Sequence, residues 1–295
     1  PIYAGNVETA CGKPLEVCLQ GLERLEYRGY DSAGVALTAP GMDKVTVRKK
    51  AGRLKNLVED IEHKPMPLAT VGIGHTRWAT NGEPSDVNAH PHTSMDGKVA
   101  IIHNGIIENA SQLRLDLQAE GYRFASATDT EVAAKLLGKI VDKIIAEEGK
   151  PNLFKAVRRM ARMLEGAFTI LATDCRQPDI VVGARHDSPL VVGLGDGENF
   201  LGSDVAAFVA YTKRAMEVDQ DQAVCVSADK VIVTDFDGNV IENPKTYTVD
   251  WDASAAEKGG WDSFMDKEIH EDPAAVQRTL LGRFDPNGDI TLDEV

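Results

Sequence analysis

The sequence is poor in cysteine, in basic clusters and in long apolar runs, and each shortage excludes a class of protein. Its 4 cysteines are widely scattered, which argues against a disulfide framework and against a cysteine-rich metal site; they are Cys11, Cys18, Cys175 and Cys225. The 46 acidic residues outnumber the 32 basic ones and give a net charge of −14. Because nucleic-acid binding needs a positive face, we expect no nucleic-acid partner.

Membrane association is also not expected. No apolar run reaches the length of a membrane span, and no signal peptide opens the chain. Together with the scattered cysteines, this predicts a cytoplasmic protein with reduced thiols.

The apolar pattern predicts strands at both ends of a long segment, with helices between them. Helical periodicity begins at Pro14 and recurs over residues 54–61, 111–120, 130–147 and 152–165. Strands are predicted over residues 33–38, 45–48, 70–74, 99–102, 167–173, 180–184 and 190–194, with a hairpin over 231–241. This order favours an α+β fold with two stacked sheets and helices outside them. Residues 253–260 have the composition of a linker, so we predict one domain over residues 1–250 and a separate segment over 251–295.

Two polar segments that follow apolar strands carry the most specific signal. Residues 75–84 read His-Thr-Arg-Trp-Ala-Thr-Asn-Gly-Glu-Pro, and residues 103–109 read His-Asn-Gly-Ile-Ile-Glu-Asn. We predict that the two preceding strands are adjacent and deliver both segments to one sheet edge, where ligand-binding groups concentrate. The guanidinium of Arg77 suits a carboxylate. The amide of Asn104 and the backbone N–H of Gly105 would form an oxyanion hole, which indicates a small ligand with a carboxylate and an amide.

Each of these residues also has a purely structural interpretation. A lone arginine such as Arg77 more often forms a structural ion pair, Trp78 can cap the core, and an Asn-Gly pair can form a type I′ turn. Residues 128–131 form a capping box ahead of a periodic helix. Asp129 lies in the first turn of that helix, where the dipole favours a carboxylate, and it could also receive an ammonium group.

Metal and nucleotide sites are weakly indicated. Four histidines could supply imidazole nitrogens (His75, His90, His92 and His103), but no cysteine joins them and His-Pro-His is a poor rigid template, so we predict no metal site. Residues 285–289 resemble a calcium loop with glycine at the wrong position, which indicates a turn. The glycine-rich residues 193–197 precede no clear helix, so we predict a loop between strands and no cofactor.

The segments resemble the glutaminase domains of the glutamine–fructose-6-phosphate aminotransferase (isomerizing) family, the glucosamine-6-phosphate synthases, which are class II glutamine amidotransferases. The matching stretches are residues 25–34, 75–84, 88–92, 103–109, 128–131, 188–195 and 265–273, and they span nearly the whole chain. The resemblance implies an N-terminal-nucleophile hydrolase fold, a four-layer αββα sandwich. It implies that residues 1–250 are the glutaminase domain, and that residues 251–295 are a linker and the start of a sugar isomerase region absent from this sequence. The full-length protein is expected to be a homo-oligomer.

The resemblance also implies a mechanism. In this family a cysteine at the mature N-terminus attacks the γ-amide of glutamine, ammonia leaves, and water hydrolyses the resulting thioester. By residue match, Asn104 and the Gly105 amide would hold the oxyanion.

The remaining matched residues would hold the substrate, L-glutamine, or the product, L-glutamate. Arg77 and Thr80 would bind the α-carboxylate, and Asp129 would bind the ammonium group. Trp78 would belong to a loop that closes over the ligand, and Arg28 would lie close to the nucleophile.

Two departures from the family pattern affect this interpretation. Members open Cys-Gly-Ile-Val-Gly-Tyr, whereas residues 1–6 here read Pro-Ile-Tyr-Ala-Gly-Asn, so the nucleophile is absent from the sequence. Cys11 cannot replace it because Cys11 has no free α-amino group. Asn81 stands where the family has histidine. Two hypotheses follow: the chain is the glutaminase part of a synthase that converts fructose 6-phosphate to glucosamine 6-phosphate, or it is a catalytically silent fragment that binds glutamine or glutamate.

Overall fold

The computed structural model describes residues 2–8, 13–79, 82–250, 261 and 264–280. The chain divides into two units, Pro1–Ala253 and Ser254–Val295. Several sequence-based expectations lie outside the described residues: those on Cys11, Thr80 and Asn81, on the linker at 253–260 and on the turn at 285–289. Among the described residues, no helix has the length and apolar character needed to cross a bilayer.

The helices of the first unit are α1 (Pro14–Arg24), α2 (Leu54–His63), α3 (Ala110–Ala119), α4 (Asp129–Glu148) and α5 (Leu153–Ala161), with 3₁₀ turns at Glu26–Arg28 and Val205–Ala207. The strands are β1 (Ile2–Glu8), β2 (Ser32–Thr38), β3 (Thr46–Ala51), β4 (Val71–Arg77), β5 (His92–Thr93), β6 (Val99–Gly105), β7 (Phe168–Asp174), β8 (Val181–His186), β9 (Val191–Leu194), β10 (Glu198–Gly202), β11 (Arg214–Glu217), β12 (Gln222–Val226), β13 (Val231–Asp235) and β14 (Thr246–Thr248). The second unit contains α6 (Phe264–Leu280).

Within the described residues, the strands of the first unit form two antiparallel sheets. The larger sheet has 8 strands in the order β14-β11-β9-β10-β1-β4-β2-β3, and the smaller has 6 in the order β13-β12-β8-β7-β6-β5. Helices α1 and α2 pack on the larger sheet, while α4 and α5 pack on the smaller one. The predicted α+β fold and its helix–sheet–sheet–helix layering are therefore confirmed.

Strand β6 shows how the sequence builds both cores. Val99 and Ile101 face the helices α4 and α5, whereas Ala100 and Ile102 face the other sheet. Because successive side chains of a strand point to opposite faces, a continuous apolar run is required where both faces are buried.

Two glycines in β4 allow the close approach of α1. A Cβ at Gly72 would lie 3.2 Å from the Cys18 sulfur, and one at Gly74 would lie 3.0 Å from Leu22. Helix α1 therefore packs tightly over the strand that ends at Arg77.

The structure corrects the prediction that the strands before the two polar segments are adjacent. Strand β4 lies between β1 and β2 in the larger sheet, and β6 lies between β5 and β7 in the smaller sheet. The two polar segments therefore meet across the sandwich rather than along one sheet edge.

Three further details differ from the sequence-based expectations. The predicted helix over 152–165 ends at Ala161, and beyond it the side chain of Asn109 binds the backbone of Met163 and Glu165. The second arm of the hairpin over 231–241 reduces to a single bridge between Thr234 and Val240. Six strands were not predicted, namely β1, β5, β10, β11, β12 and β14.

Candidate active site

A cavity of about 680 Å³ opens where β4 and β6 end and α4 begins. Among the residues singled out from sequence, it is lined by Arg28, Arg77, Trp78, Asn104, Gly105 and Asp129. Thr80 lies outside the described residues. The structure thus brings six predicted site residues from four parts of the chain to one cavity.

Asn104 is held at the cavity by a histidine of the opposite sheet. The Nε2 atom of His75 lies 3.0 Å from Oδ1 of Asn104. Both side chains are buried, with 1% and 7% exposure respectively. The amide of Asn104 is therefore fixed by a contact between the two sheets.

Gly105 occupies a conformation that suits glycine. Its φ is +114°, and a Cβ there would lie 2.0 Å from the carbonyl oxygen of Ala167. Strand β6 pairs with β7 up to Gly105, opposite Phe168, and the Ile106 N–H donates to Ala167 O at 2.8 Å. The Asn-Gly pair therefore ends a strand and does not form the two-residue hairpin turn considered above.

Arg77 presents a buried guanidinium to the cavity. Its Nη2 donates to the carbonyl oxygen of Gly82 at 3.0 Å. Burial lowers the pKa of Arg77, whereas the nearby carboxylates of Asp31 and Asp129 raise it. A buried cation at the wall of a cavity is chemically suited to an anionic ligand such as a carboxylate.

Asp129 is the first residue of α4. The Thr128 hydroxyl accepts a hydrogen bond from the Glu131 N–H at 3.2 Å, which confirms the predicted N-cap. The carboxylate of Glu131 reaches back to the Ser126 N–H at 2.7 Å, two residues before the cap. Asp129 itself accepts from the Ile107 N–H at 3.0 Å. Its carboxylate therefore has a structural contact in addition to its place at the cavity.

Trp78 and Arg28 lie at the more open side. Trp78 is 51% exposed and meets the ring of Tyr30 edge-on, with 5.7 Å between ring centroids. The guanidinium of Arg28 lies 3.8 Å from the carboxylate of Asp204. An exposed aromatic pair at the mouth of a cavity can cover a bound ligand.

Histidines form the part of the site that sequence reasoning did not assign. His75, His90 and His103 line the cavity, and the rings of His75 and His90 have centroids 4.4 Å apart. His103 Nδ1 lies 3.0 Å from the hydroxyl of Thr130, and His92 Nε2 lies 3.0 Å from that of Thr128. The sequence showed these residues only as scattered histidines, because their proximity depends on how the two sheets stack on each other.

Burial disfavours the charged form of these histidines. Burial lowers the pKa of His75 to about 3, and it lowers the pKa of His90 and of His92 well below the ordinary value. Burial also lowers the pKa of His103, which the charge of Asp129 opposes. Among the described residues, no three histidine, cysteine or acidic side chains are arranged to hold a metal ion.

Further lining residues follow strands β8 and β10. They include Ser188 and Pro189, which connect β8 to β9, and Ser203, which follows β10. The hydroxyl of Ser203 is buried and has no hydrogen-bond partner among the described residues. The segments after β8 and β10 therefore add hydroxyl groups to the cavity lining.

Comparison with known proteins gives a consistent match. Residues 75–210 match the glutamine amidotransferase domain. Over 281 residues the chain is 56% identical to a glutamine–fructose-6-phosphate aminotransferase (isomerizing) of Corynebacterium diphtheriae, and 55% identical to that of Corynebacterium efficiens. Each alignment covers 95% of this chain and 44% of the relative, so the chain spans less than half the length of these curated relatives.

Solved structures show the same fold. The glutamine phosphoribosylpyrophosphate amidotransferase from B. subtilis, complexed with ADP and GMP, superposes with a TM-score of 0.65 at 24% identity. The match covers 81% of this chain and 50% of that chain. At this identity the likeness shows that the two proteins share a fold.

Proposed function

We propose, because the chain belongs to the glutamine amidotransferase family, that its cavity binds L-glutamine and that the domain releases ammonia from the γ-amide. In the whole protein this ammonia would serve the conversion of fructose 6-phosphate to glucosamine 6-phosphate in amino-sugar biosynthesis, with a C-terminal isomerase region as the partner. The names of the curated relatives support this assignment. A cytoplasmic location and a homo-oligomeric state of the whole protein stay predictions from the sequence.

The main support for the proposal is that one cavity is lined by a cation, an anion and an amide–backbone pair. This pair consists of a side-chain amide and the backbone N–H of the next residue. Arg77, Asp129 and the Asn104-Gly105 pair all line it. Glutamine has an α-carboxylate, an α-ammonium group and a γ-amide, so each feature of the cavity has a chemical counterpart in this ligand. We assign the carboxylate to Arg77 and Thr80, the ammonium group to Asp129, and the γ-amide oxygen to the amide–backbone pair.

The direction of β1 supports a nucleophile at this cavity. Ile2 is paired with Thr76, and Ala4 with Gly202. The N-terminal end of β1 therefore lies beside the ends of β4 and β10 that lead to Arg77 and Ser203. A cysteine at the N-terminus of this strand would have its α-amino group and its thiol at the same wall. Arg28 would lie close to it, and Trp78 would cover the ligand.

The proposed reaction follows from these positions. The thiolate attacks the γ-carbonyl carbon, and the developing oxyanion receives hydrogen bonds from the Asn104 amide and the Gly105 N–H. The α-amino group accepts the thiol proton and passes it to the leaving nitrogen, so that ammonia departs and a thioester remains. Water then hydrolyses the thioester and releases glutamate.

The decisive experiment supplies the cysteine. In the N-cysteine form, Cys-Gly-Ile-Val-Gly precedes Tyr3 in place of Pro1-Ile2, and the initiator Met is removed. This form is expected to release ammonia from glutamine, measured with a coupled glutamate dehydrogenase assay. The control differs only by alanine at the first position and is expected to be inactive. If the N-cysteine form releases no ammonia, the alternative of a silent glutamine- or glutamate-binding fragment replaces the proposal.

A further inference from the structure

His75 and Asn104 form a buried polar contact between the two sheets. His75 belongs to β4 of the larger sheet, and Asn104 belongs to β6 of the smaller sheet. The distance from Nε2 of His75 to Oδ1 of Asn104 is 3.0 Å. A carboxamide oxygen only accepts hydrogen bonds, so this geometry places the hydrogen on Nε2 of His75.

The contact determines which end of the Asn104 amide can serve a ligand. With Oδ1 directed at His75, Nδ2 is the end of the planar amide that is directed elsewhere, and Asn104 lines the cavity. If the amide rotated by 180° about its terminal bond, its oxygen would take the place of the donor. An oxygen there would repel a developing oxyanion, whereas the N–H group would stabilise it.

The surroundings of His75 keep the imidazole in the state that this role needs. Burial lowers the pKa of His75 to about 3, so the ring is neutral at physiological pH and has one N–H. Its Nδ1 atom has no hydrogen-bond partner among the described residues, whereas Nε2 has Asn104. The ring of His90 lies against it, with ring centroids 4.4 Å apart. A neutral ring with one polar partner favours the tautomer protonated at Nε2.

We propose that His75 is a positioning residue for glutamine hydrolysis: its Nε2–H holds Oδ1 of Asn104, so that the amide N–H of Asn104 is directed at the oxyanion. This inference rests on the proposed function. It makes His75 act on catalysis through Asn104.

The kinetic test is a double-mutant cycle in the N-cysteine form. His75→Leu removes the donor and is expected to lower kcat for glutamine about tenfold, with KM changed less than twofold. His75→Gln can place an amide N–H near the same point and is expected to recover most of the loss. In an Asn104→Ala background, His75→Leu is expected to lower kcat less than twofold. If the two losses multiply instead, His75 does not act through Asn104 and the proposal is overturned.

A second measurement uses the chain as it stands and does not depend on activity. The ¹⁵N chemical shifts of the His75 imidazole, recorded by long-range proton–nitrogen NMR at pH 7, are expected to show protonation at Nε2. Asn104→Ala is expected to shift the Nε2 resonance. Protonation at Nδ1 would overturn the proposal, because Nε2 would then accept from the amide and Oδ1 would be directed elsewhere. An inactive N-cysteine form that still shows the Nε2 tautomer would refute the glutaminase assignment while supporting the contact.

Discussion

The backbone N–H of Ile107 donates to the carboxylate of Asp129 across 3.0 Å, and this bond ties the segment after Gly105 to the first turn of α4. The other oxygen of Asp129 accepts from the Thr130 N–H at 2.9 Å. Asp129 is only 9% exposed, so water does not readily replace either contact. The residue proposed to bind the substrate ammonium group therefore also holds the backbone that leads away from the proposed oxyanion hole.

We therefore predict that Asp129→Ala destabilises the fold by about 1–3 kcal/mol, because it leaves the buried N–H of Ile107 without an acceptor and removes a negative charge from a helix N-terminus. Asp129→Asn keeps one acceptor oxygen and is expected to lose less stability than Asp129→Ala. Urea unfolding followed by circular dichroism measures both. Glu147→Ala is the matched control, since it removes an acid of the same helix whose partner Arg159 is near the surface, and it is expected to change stability by less than about 0.5 kcal/mol. Equal losses in Asp129→Ala and Glu147→Ala would contradict the structural role.

Gly105 and Gly121 offer a second matched comparison, because both have positive φ but different surroundings. Gly105 has φ +114° and a Cβ there would lie 2.0 Å from the carbonyl oxygen of Ala167, whereas Gly121 has φ +91° and nothing within 4 Å. Gly121→Ala is expected to cost about 1–2 kcal/mol from backbone strain alone. Gly105→Ala is expected to cost about 1–3 kcal/mol more, since the β6–β7 pairing must also shift.

The same urea titrations decide this prediction. In the N-cysteine form, Gly105→Ala is also expected to abolish ammonia release, while Gly121→Ala leaves the rate unchanged. Similar stability losses in the two variants would show that the backbone around Gly105 adapts without strain.

The sequence predicted the elements of this fold better than their arrangement. The helix that begins at Pro14 and the capping box before α4 are local signals, and both are found in the structure. The prediction that β4 and β6 are adjacent was wrong because both strands are apolar on two faces. Such strands can pair with any neighbour, and periodicity does not say which sheet they enter.

For the candidate site too, the sequence indicated individual residues but not the contacts between them. Arg77, Asn104 and Asp129 could be selected from sequence because each stands in a recognisable motif, and the structure places all three at one cavity. The contact between His75 and Asn104 could not be predicted, since it joins residues 29 positions apart through the stacking of two sheets. The functional roles of the three selected residues stay predictions.

Stability is expected to fall as the pH decreases below neutrality. His75, His90 and His92 are buried, and burial lowers the pKa of each below the ordinary value of 6.5. The unfolded chain therefore binds protons at a pH where the folded chain does not. The stabilisation is complete above pH 6.5 and is lost as the pH falls from 6.5 towards about 3, the pKa of folded His75. Each histidine adds a slope of up to about 1.4 kcal/mol per pH unit.

Urea midpoints at pH 7.5, 6.5, 5.5 and 4.5 measure this dependence. His90→Leu is expected to reduce the pH dependence of the unfolding free energy by up to about 1.4 kcal/mol per pH unit, the slope that one proton contributes. This holds whatever its effect on stability at pH 7.5. His63→Gln is the control, because His63 lies exposed at the end of α2, and its profile is expected to follow that of the parent chain. A profile that is flat from pH 7.5 to 5.5 would show that the buried histidines take up protons without unfolding.

Glutamate, the product of the proposed reaction, is expected to bind this chain without the nucleophile, because the contacts with Arg77 and Asp129 need no thiol. Arg77→Ala removes the buried cation at the cavity wall, and hydrogen bonds to charged groups contribute about 1.5–3 kcal/mol, so we expect affinity for glutamate to fall at least tenfold. Arg77→Lys keeps the charge but not the planar fork, so its affinity for glutamate is expected to lie between that of the parent chain and that of Arg77→Ala. Isothermal titration calorimetry measures the three dissociation constants, with Arg159→Ala as a control that removes a cation paired with Glu147 outside the cavity. Glutamate binding of equal strength in the parent chain and in Arg77→Ala would show that the guanidinium does not hold the α-carboxylate.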